Sequence, residues 1–149
     1  MPHNLTVRAA TSPPVGRGRR RHRLALRLVD HLTPEVVGFL STGTRTGKLA
    51  WTAADGRPLV APVWFVVEDG ALLFNTGKGT AKGRAVRRDA RLAISVDVEE
   101  PPYAFVQVQG TATISEDPDE LVRSATAIGS RYIGARSRRG VRPAQRGAR

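Results

Sequence analysis

The sequence predicts a mainly β domain with helices, arranged as a small antiparallel barrel whose ends are filled by the helices. Two Asp-Gly pairs stand between runs rich in Val, Leu, Phe and Trp, and this dipeptide favours the tight turn of a β-hairpin. The predicted strands follow one another through short turns, without the regular alternation of strand and helix that a parallel sheet requires. A chain of 149 residues is long enough for one core of this kind.

The first predicted element is a short helix in LTPEVVGFLSTG, residues 32–43. Thr33 can cap its start, Pro34 suits the first helical turn, and Glu35 suits the positive end of the helix dipole. Gly43 then provides a stop, because glycine readily adopts the left-handed conformation found at helix ends.

Three antiparallel strands are predicted next, at about residues 47–53, 59–67 and 71–76. The turns between them contain Asp55-Gly56 and Asp69-Gly70. The middle strand contains Pro62, which cannot donate a backbone hydrogen bond to a neighbouring strand. We therefore expect an edge or a bulge at this proline, where backbone groups can face a ligand instead of a neighbour.

A second helix, two more strands and a third helix complete the predicted domain. The second helix covers about residues 80–89, and the strands are RLAISVDV and YAFVQVQGTATIS. The third helix begins with a capping box, in which Asp117 caps, Pro118 takes the first helical position and Glu120 lies three residues after the cap. Its predicted apolar face consists of Leu121, Ala125, Ile128 and Tyr132.

The net charge of +11 comes from the two ends of the chain. Residues 1–29 hold seven arginines and no acidic residue, residues 135–149 hold six more arginines, and the part between them has a net charge of −2. We expect residues 1–31 to be a basic, disordered extension, residues 32–135 to be the folded domain, and residues 136–149 to be a disordered arginine-rich tail. Nucleic-acid binding is not expected, because no aromatic residues lie among these arginines to stack on bases.

The residue inventory excludes several kinds of chemistry. The chain contains no cysteine, so it has no disulfide, thiolate metal site or cysteine nucleophile. Its histidines, His3, His22 and His31, precede the predicted domain, so we expect no histidine base and no metal site in the core. No apolar run approaches the roughly 20 residues that span a bilayer. With no recognisable signal peptide, a cytoplasmic protein without a membrane partner is expected.

The segment FNTGKGTAKGRAV joins the third predicted strand to the second helix and is a candidate binding site. Backbone N–H groups in a glycine-rich turn, followed by a helix N-terminus, form a site for phosphate. The side chains that could add to it are Asn75, Thr76, Lys78, Thr80 and Lys82. The segment is not a P-loop, because glycine rather than Ser or Thr follows Lys78. From the local pattern alone, anion binding and an ordinary surface turn are equally good interpretations of Lys82.

Other prominent residues have structural interpretations. Arg87, Arg88 and Arg91 are interpreted as the solvent-facing side of the second helix, because their spacing places them on one helix face. Trp51 and Trp64 are interpreted as barrel core rather than as residues that stack on a cofactor.

Three segments resemble a known family: DGRPLVAPVWF, the block from NTGKGTAKGR to RRDARLAISVD, and PPYAFVQVQGTATISEDP, in that order. In sequence and spacing they are similar to the pyridoxamine 5′-phosphate oxidase-like, flavin-binding split barrels. Within that family they are most similar to the branch of oxidoreductases that depend on the deazaflavin coenzyme F420. The resemblance covers about residues 32–135.

The resemblance implies a split β-barrel that forms a homodimer, with the cofactor in clefts between the two subunits. The implied ligands of the cofactor phosphate are Lys82, Asn75, Thr76 and Thr80, with Lys78 and Arg84 as further candidates. The isoalloxazine-type ring would lie against the backbone of Pro62, Val63 and Trp64. The resemblance favours the anion-binding interpretation of Lys82, but it identifies no catalytic residue and no metal site.

The implied chemistry is hydride transfer from reduced F420 to a small unsaturated or conjugated acceptor, with the cofactor supplying the reactivity. FMN is the alternative cofactor, since the same phosphate site serves both. A module that binds a flavin or a tetrapyrrole without catalysis is a further alternative. Arginines near the cleft would favour the polyglutamate tail of F420. Family members usually continue into a closing apolar strand, which we expect to be missing because this chain ends in ARSRRGVRPAQRGAR.

Overall fold

A computed structural model describes residues 4–10 and 32–140 of the chain. The elements within these ranges are, in order, β1 (Asn4–Ala10), α1 (Pro34–Ser41), β2 (Gly47–Thr52), β3 (Pro58–Val63), β4 (Val66–Glu68), β5 (Ala71–Gly77), α2 (Ala81–Arg88), β6 (Arg91–Val98), β7 (Ala104–Ser115) and α3 (Pro118–Gly140). None of the helices in this part of the chain combines the length and the hydropathy that a transmembrane span requires.

The strands form one antiparallel sheet in the order β3-β2-β6-β7-β1-β5-β4. Its two edge strands, β3 and β4, are separated in the chain only by Trp64 and Phe65. Such a short link spans roughly 10 Å when fully extended, so the sheet must curl until its edges lie close together. The result is an antiparallel barrel that is split between β3 and β4, which confirms the predicted fold class.

The hairpin turns and the first helix cap were predicted correctly. Asp69 and Gly70 both have positive φ, 50° and 72°, as the tight turn between β4 and β5 requires. Gly56 has a φ of 87° in the turn between β2 and β3. The hydroxyl of Thr33 accepts a hydrogen bond from the backbone nitrogen of Val36, so Thr33 is the N-cap of α1.

The predicted strand 59–67 is two strands. Pro62 lies in β3, which among the described strands pairs with β2 alone, so the expectation of an edge strand at this proline is confirmed. The chain leaves the sheet at Trp64 and Phe65 and re-enters it at the opposite edge as β4, which pairs with β5. The apolar run PLVAPVWFVV continues across this break without a polar residue, so the sequence pattern alone could not show it.

The two ends of the chain differ from the expected disordered segments. Residues 4–10 form β1, which pairs with β5 on one side and β7 on the other. Hydrogen bonds to two neighbouring strands stabilise this short segment, and its own composition gives no sign of them. The helix α3 continues to Gly140, so residues 136–140 are helical. The remaining parts of the expected extension and tail, 11–31 and 141–149, lie outside the described residues.

The expected loss of the closing strand does not leave an open edge beside β5 or β7. Within residues 32–140 no strand follows α3, but β1 lies between these two strands and pairs with both. The described sheet therefore has its edges only at β3 and β4.

The core lies inside the curled sheet. Its fully buried large side chains are Leu40, Leu49, Phe65, Leu72, Phe74, Ile94, Val86 and Val96. Residues 71–74 are all buried, although successive side chains of a strand point to opposite faces. Both faces of β5 are therefore covered, and α3 packs against this strand and its neighbour β1.

The C-terminal half of α3 binds the backbone at the split. Phe65 donates its N–H to the Tyr132 hydroxyl (3.3 Å), and its carbonyl accepts from Arg131 (2.8 Å). The same guanidinium donates to the carbonyls of Leu40 (2.7 Å) and Gly43 (3.0 Å) at the end of α1. Two adjacent side chains of α3 thus form hydrogen bonds with backbone groups that a continuous strand or helix would otherwise have paired.

Candidate functional site

The turn before α2 is held by two threonines. Thr80 is the N-cap of α2, accepting from the backbone nitrogen of Gly83 (3.0 Å) and donating to the carbonyl of Gly77 (2.8 Å). Its oxygen also lies 3.1 Å from the Thr76 hydroxyl, which must be the donor of that pair because the Thr80 proton is already engaged. The Thr80 hydroxyl thereby reaches its full hydrogen-bonding capacity. Thr76 and Thr80 therefore shape the turn, and neither lines the cavity beside it.

Gly83 brings the first turn of α2 close to the preceding strand. A Cβ at this position would lie 2.2 Å from the carbonyl oxygen of Gly77 and 3.1 Å from that of Lys78. Only glycine fits such an approach, and it places Lys82 at the second position of the helix. The N–H groups of Ala81 and Lys82 have no intrahelical acceptor there, as is general for a first helical turn.

Lys82 is half-buried beside the ring of Trp51, with its Nζ 5.9 Å from the ring centroid. Burial lowers the pKa of Lys82, because removing the ammonium from water disfavours its charged form. None of the ion pairs among the described residues includes this lysine. Its charge is therefore available to an anionic ligand.

The other cations of the predicted cluster are engaged elsewhere. Lys78 and Arg87 both pair with Glu116, and Arg84 donates to the carbonyl of Gly79. Arg88 donates to the carbonyl of Thr52 (2.6 Å), and Arg91 pairs with Asp89 (2.7 Å). The pairing with Arg91 also holds the pKa of Asp89 down to about 2. The arginines Arg84, Arg87, Arg88 and Arg91 are exposed, and neither they nor Lys78 line the cavity described next.

A cavity of about 510 Å³ opens beside Lys82, within the roughly 300–1,000 Å³ typical of ligand pockets. Its lining residues are Pro62, Val63, Trp64, Asn75, Lys82, Ala125, Ile128, Gly129 and Ile133. The structure thus brings together five of the predicted site residues from β3, the split, β5 and α2. The remaining four, Thr76, Lys78, Thr80 and Arg84, lie in or near the same turn but outside the lining.

Trp64 forms part of the cavity wall, whereas the sequence pattern had suggested barrel core. Its side chain is 39% exposed. Its ring stacks on Tyr132, with centroids 4.9 Å apart and planes 2° apart. Tyr132 is itself fixed, because its hydroxyl donates to the carbonyl of Arg45 (2.8 Å). Burial raises the pKa of Tyr132. Trp51, by contrast, packs against the core as predicted, and its buried Nε1 has no hydrogen-bond partner in the described structure.

The α3 wall of the cavity was not predicted as part of the site. Ala125 and Ile128 belong to the apolar face that the sequence indicates, and Gly129 and Ile133 extend the lining along the helix. Helical periodicity showed which residues face the body of the protein. It could not show that α3 crosses the barrel beside the split, where part of that face borders a cavity.

The cavity has a polar end and an apolar end. At the polar end, the Ser124 hydroxyl lies within hydrogen-bonding distance of Oδ1 of Asn75 (3.1 Å) and of the Leu121 carbonyl (3.2 Å). Among the described residues no acceptor engages the amide protons of Asn75, which can therefore donate to a ligand. Lys82 and the start of α2 lie at this end. At the other end lie the rings of Pro62 and Trp64 and the aliphatic side chains of α3. Such a cavity suits a molecule with an anionic group and a flat ring. No group of three metal-ligating side chains occurs among the described residues.

Comparison with known proteins relates this geometry to a family. The family model for pyridoxamine 5′-phosphate oxidase matches residues 32–148. A conserved hypothetical protein from Mycobacterium tuberculosis is similar in structure, with a TM-score of 0.63 and 27% identity over 77% of this chain and 71% of that one. A structure described as an F420 reductase has a TM-score of 0.56 and 28% identity over 68% of this chain and 79% of that one. A search of curated proteins finds no match.

Proposed function

We propose that this chain, which belongs to the pyridoxamine 5′-phosphate oxidase family, uses coenzyme F420. Its family and its similarity to a structure described as an F420 reductase support a flavin or deazaflavin oxidoreductase. In this proposal, the cavity beside Lys82 would hold reduced F420, which would supply a hydride for a small unsaturated or conjugated acceptor. The similarity to a structure described as an F420 reductase supports the choice of deazaflavin.

The observation that carries the proposal is the free charge of Lys82 on the wall of a cavity with an apolar end. Burial of an ammonium without a carboxylate partner is unfavourable. A phosphate at the polar end would compensate Lys82 and would accept hydrogen bonds from Asn75 and from the first N–H groups of α2. The residues present therefore fit a phosphate-bearing cofactor with a flat ring.

The protein would bind and orient the reactants. Deazaflavin supplies the hydride chemistry when it is bound. Lys82, Asn75 and the N-terminus of α2 would hold the phosphate, while Pro62, Val63 and Trp64 would support the ring and exclude water from one of its faces. Among the described residues, those that line the cavity include no carboxylate, histidine or tyrosine, so no side chain is assigned as the proton donor to the acceptor.

FMN is the second candidate cofactor, because its phosphate would use the same polar end of the cavity. The arginines of α2 do not favour F420 over FMN, because Arg84, Arg87 and Arg88 are all engaged with protein oxygens. A binding module without catalysis would show tight cofactor binding without turnover of any acceptor. Titration with F420 and FMN, followed by assays with reduced cofactor, separates these cases.

Replacing Lys82 by methionine is expected to weaken F420 binding between about 10- and 100-fold, since a charge-assisted hydrogen bond to the phosphate is lost. Methionine preserves most of the side-chain length, so packing against Trp51 is retained. The matched control is Lys78→Met, which removes a lysine from the same turn that pairs with Glu116 instead. Affinity is measured by fluorescence titration. Equal losses in the two variants, or no loss in Lys82→Met, would contradict the proposed phosphate site.

We also propose that two copies of the chain associate. Tyr103, just before β7, and Phe105, its second residue, are 75% and 70% exposed, and large aromatic side chains at a surface often mark an interface. Sedimentation of the full chain is expected to give twice the mass of 16.1 kDa. Phe105→Ser is expected to shift the equilibrium towards the single chain. A wild-type protein that sediments as a single chain at all concentrations would refute association.

A further inference from the structure

Three residues of the cavity wall form a stripe along α3. Ala125, Gly129 and Ile133 follow one another at intervals of four residues and line the same cavity. Residues at this spacing are neighbours on one face of a helix. A side chain at position 129 would therefore project into the cavity between those of Ala125 and Ile133.

The stripe is fixed at both ends. Ser124, next to Ala125, is hydrogen-bonded to Asn75 at the polar end of the cavity. Tyr132, next to Ile133, stacks on Trp64 at the apolar end. Position 129 lies between these anchors, so it faces the middle of the cavity, where the flat part of a ligand would begin.

Position 129 has room for a larger side chain, and its backbone conformation does not require glycine. A Cβ at this position would meet no atom within 4 Å, and its φ lies outside the left-handed region. Glycine within a helix is less stable than alanine by about 1 kcal/mol. Neither a close contact nor backbone conformation explains this cost, in contrast to Gly83, which is required by its approach to Gly77.

The geometry points to Gly129 as the residue that sets the width of the ring slot. Its missing side chain leaves room for a flat, fused-ring heterocycle between α3 and the wall formed by Pro62, Val63 and Trp64. A larger residue would narrow this slot and admit only smaller rings. The assignment of that ring to a cofactor rests on the proposed function, whereas the width of the slot is a property of the cavity itself.

The test uses lumichrome, a flat tricyclic ring without a phosphate or side chain. Binding is followed by quenching of Trp64 emission in a Trp51→Phe background, where Trp64 is the remaining one of the two tryptophans. Gly129→Leu is expected to weaken lumichrome binding by about tenfold or more, and Gly129→Ala by less, because each added carbon occupies the slot. Gly134→Leu is the matched control, because Gly134 is also an open position of α3 but lies outside the cavity lining.

Thermal unfolding of each variant accompanies the titrations, and Gly129→Ala keeps the test decisive if Gly129→Leu folds poorly. The inference is overturned if the background protein does not bind lumichrome, if both Gly129 variants bind it as tightly as the background, or if Gly134→Leu causes an equal loss.

F420 titration of the Lys82 variants is read separately. If lumichrome binding depends on residue 129 but F420 does not bind, the slot stands and the proposed function fails. If F420 binding depends on Lys82 but lumichrome binding is insensitive to residue 129, the proposed function stands and the slot assignment fails.

Discussion

Replacing Arg131 by methionine is expected to destabilise the protein by about 3 kcal/mol, because hydrogen bonds from a charged donor contribute about 1.5–3 kcal/mol each and some of these are partly exposed. The guanidinium donates to the carbonyls of Leu40, Gly43 and Phe65. It also lies 4.6 Å from the centre of the Phe65 ring. Methionine would keep part of the packing but would leave carbonyls at the end of α1 and at the split without donors.

The loss should appear as a midpoint of thermal unfolding lower by about 10 °C. Arg123→Met is the control, because Arg123 lies on the same helix and is more exposed, pairing with Glu68 and Glu120 at the surface. Surface ion pairs contribute about 0–1 kcal/mol, so this variant should unfold nearly as the wild type does. Equal effects of the two substitutions would show that Arg131 has no special role at the split.

Replacing Gly83 by alanine is expected to destabilise the protein by about 2 kcal/mol and to weaken cofactor binding. The new Cβ would lie 2.2 Å from the Gly77 carbonyl oxygen, so the first turn of α2 must move away from β5. Overpacking of this kind costs about 1–3 kcal/mol or more, against a gain of about 1 kcal/mol in helix propensity. Because Lys82 is the preceding residue, the same movement displaces its ammonium from the polar end of the cavity.

Chemical unfolding and F420 titration of Gly83→Ala measure the two effects. Affinity is expected to fall by about tenfold or more, since small displacements of a binding group cause large losses. Gly79→Ala is the control, because a Cβ at Gly79, in the same turn, would meet no atom within 4 Å. A Gly83→Ala protein that is as stable as Gly79→Ala and binds F420 normally would contradict the close approach of α2 to the turn.

Local chemistry was sufficient to predict most elements and the location of the cationic turn. The cap at Thr33 and the turn at Asp69-Gly70 depend on the backbone preferences of a few adjacent residues, so their positions can be derived from short stretches of sequence. The same holds for a glycine-rich turn before a helix, which identified the neighbourhood of Lys82 as a candidate anion site. The resemblance to a family added the segment around Pro62 and Trp64, which lines the cavity.

Contacts between distant segments decided the rest. Lys78 and Lys82 have the same chemistry and lie four residues apart, but Glu116, 38 residues after Lys78, pairs with it and leaves Lys82 to face the cavity. The position of β1 depends on hydrogen bonds to β5 and β7. The role proposed for Gly129 depends on the position of α3, which crosses the barrel beside the split.

The sequence by itself thus determined the antiparallel fold class, the turn chemistry and the set of candidate cations, because each follows from short-range backbone energetics and charge. Only the tertiary structure decided which cation remains unpaired, which tryptophan lines the cavity and how α3 closes one side of it. Those outcomes follow from burial and pairing between segments that are far apart in the chain, and a local pattern carries no information about them.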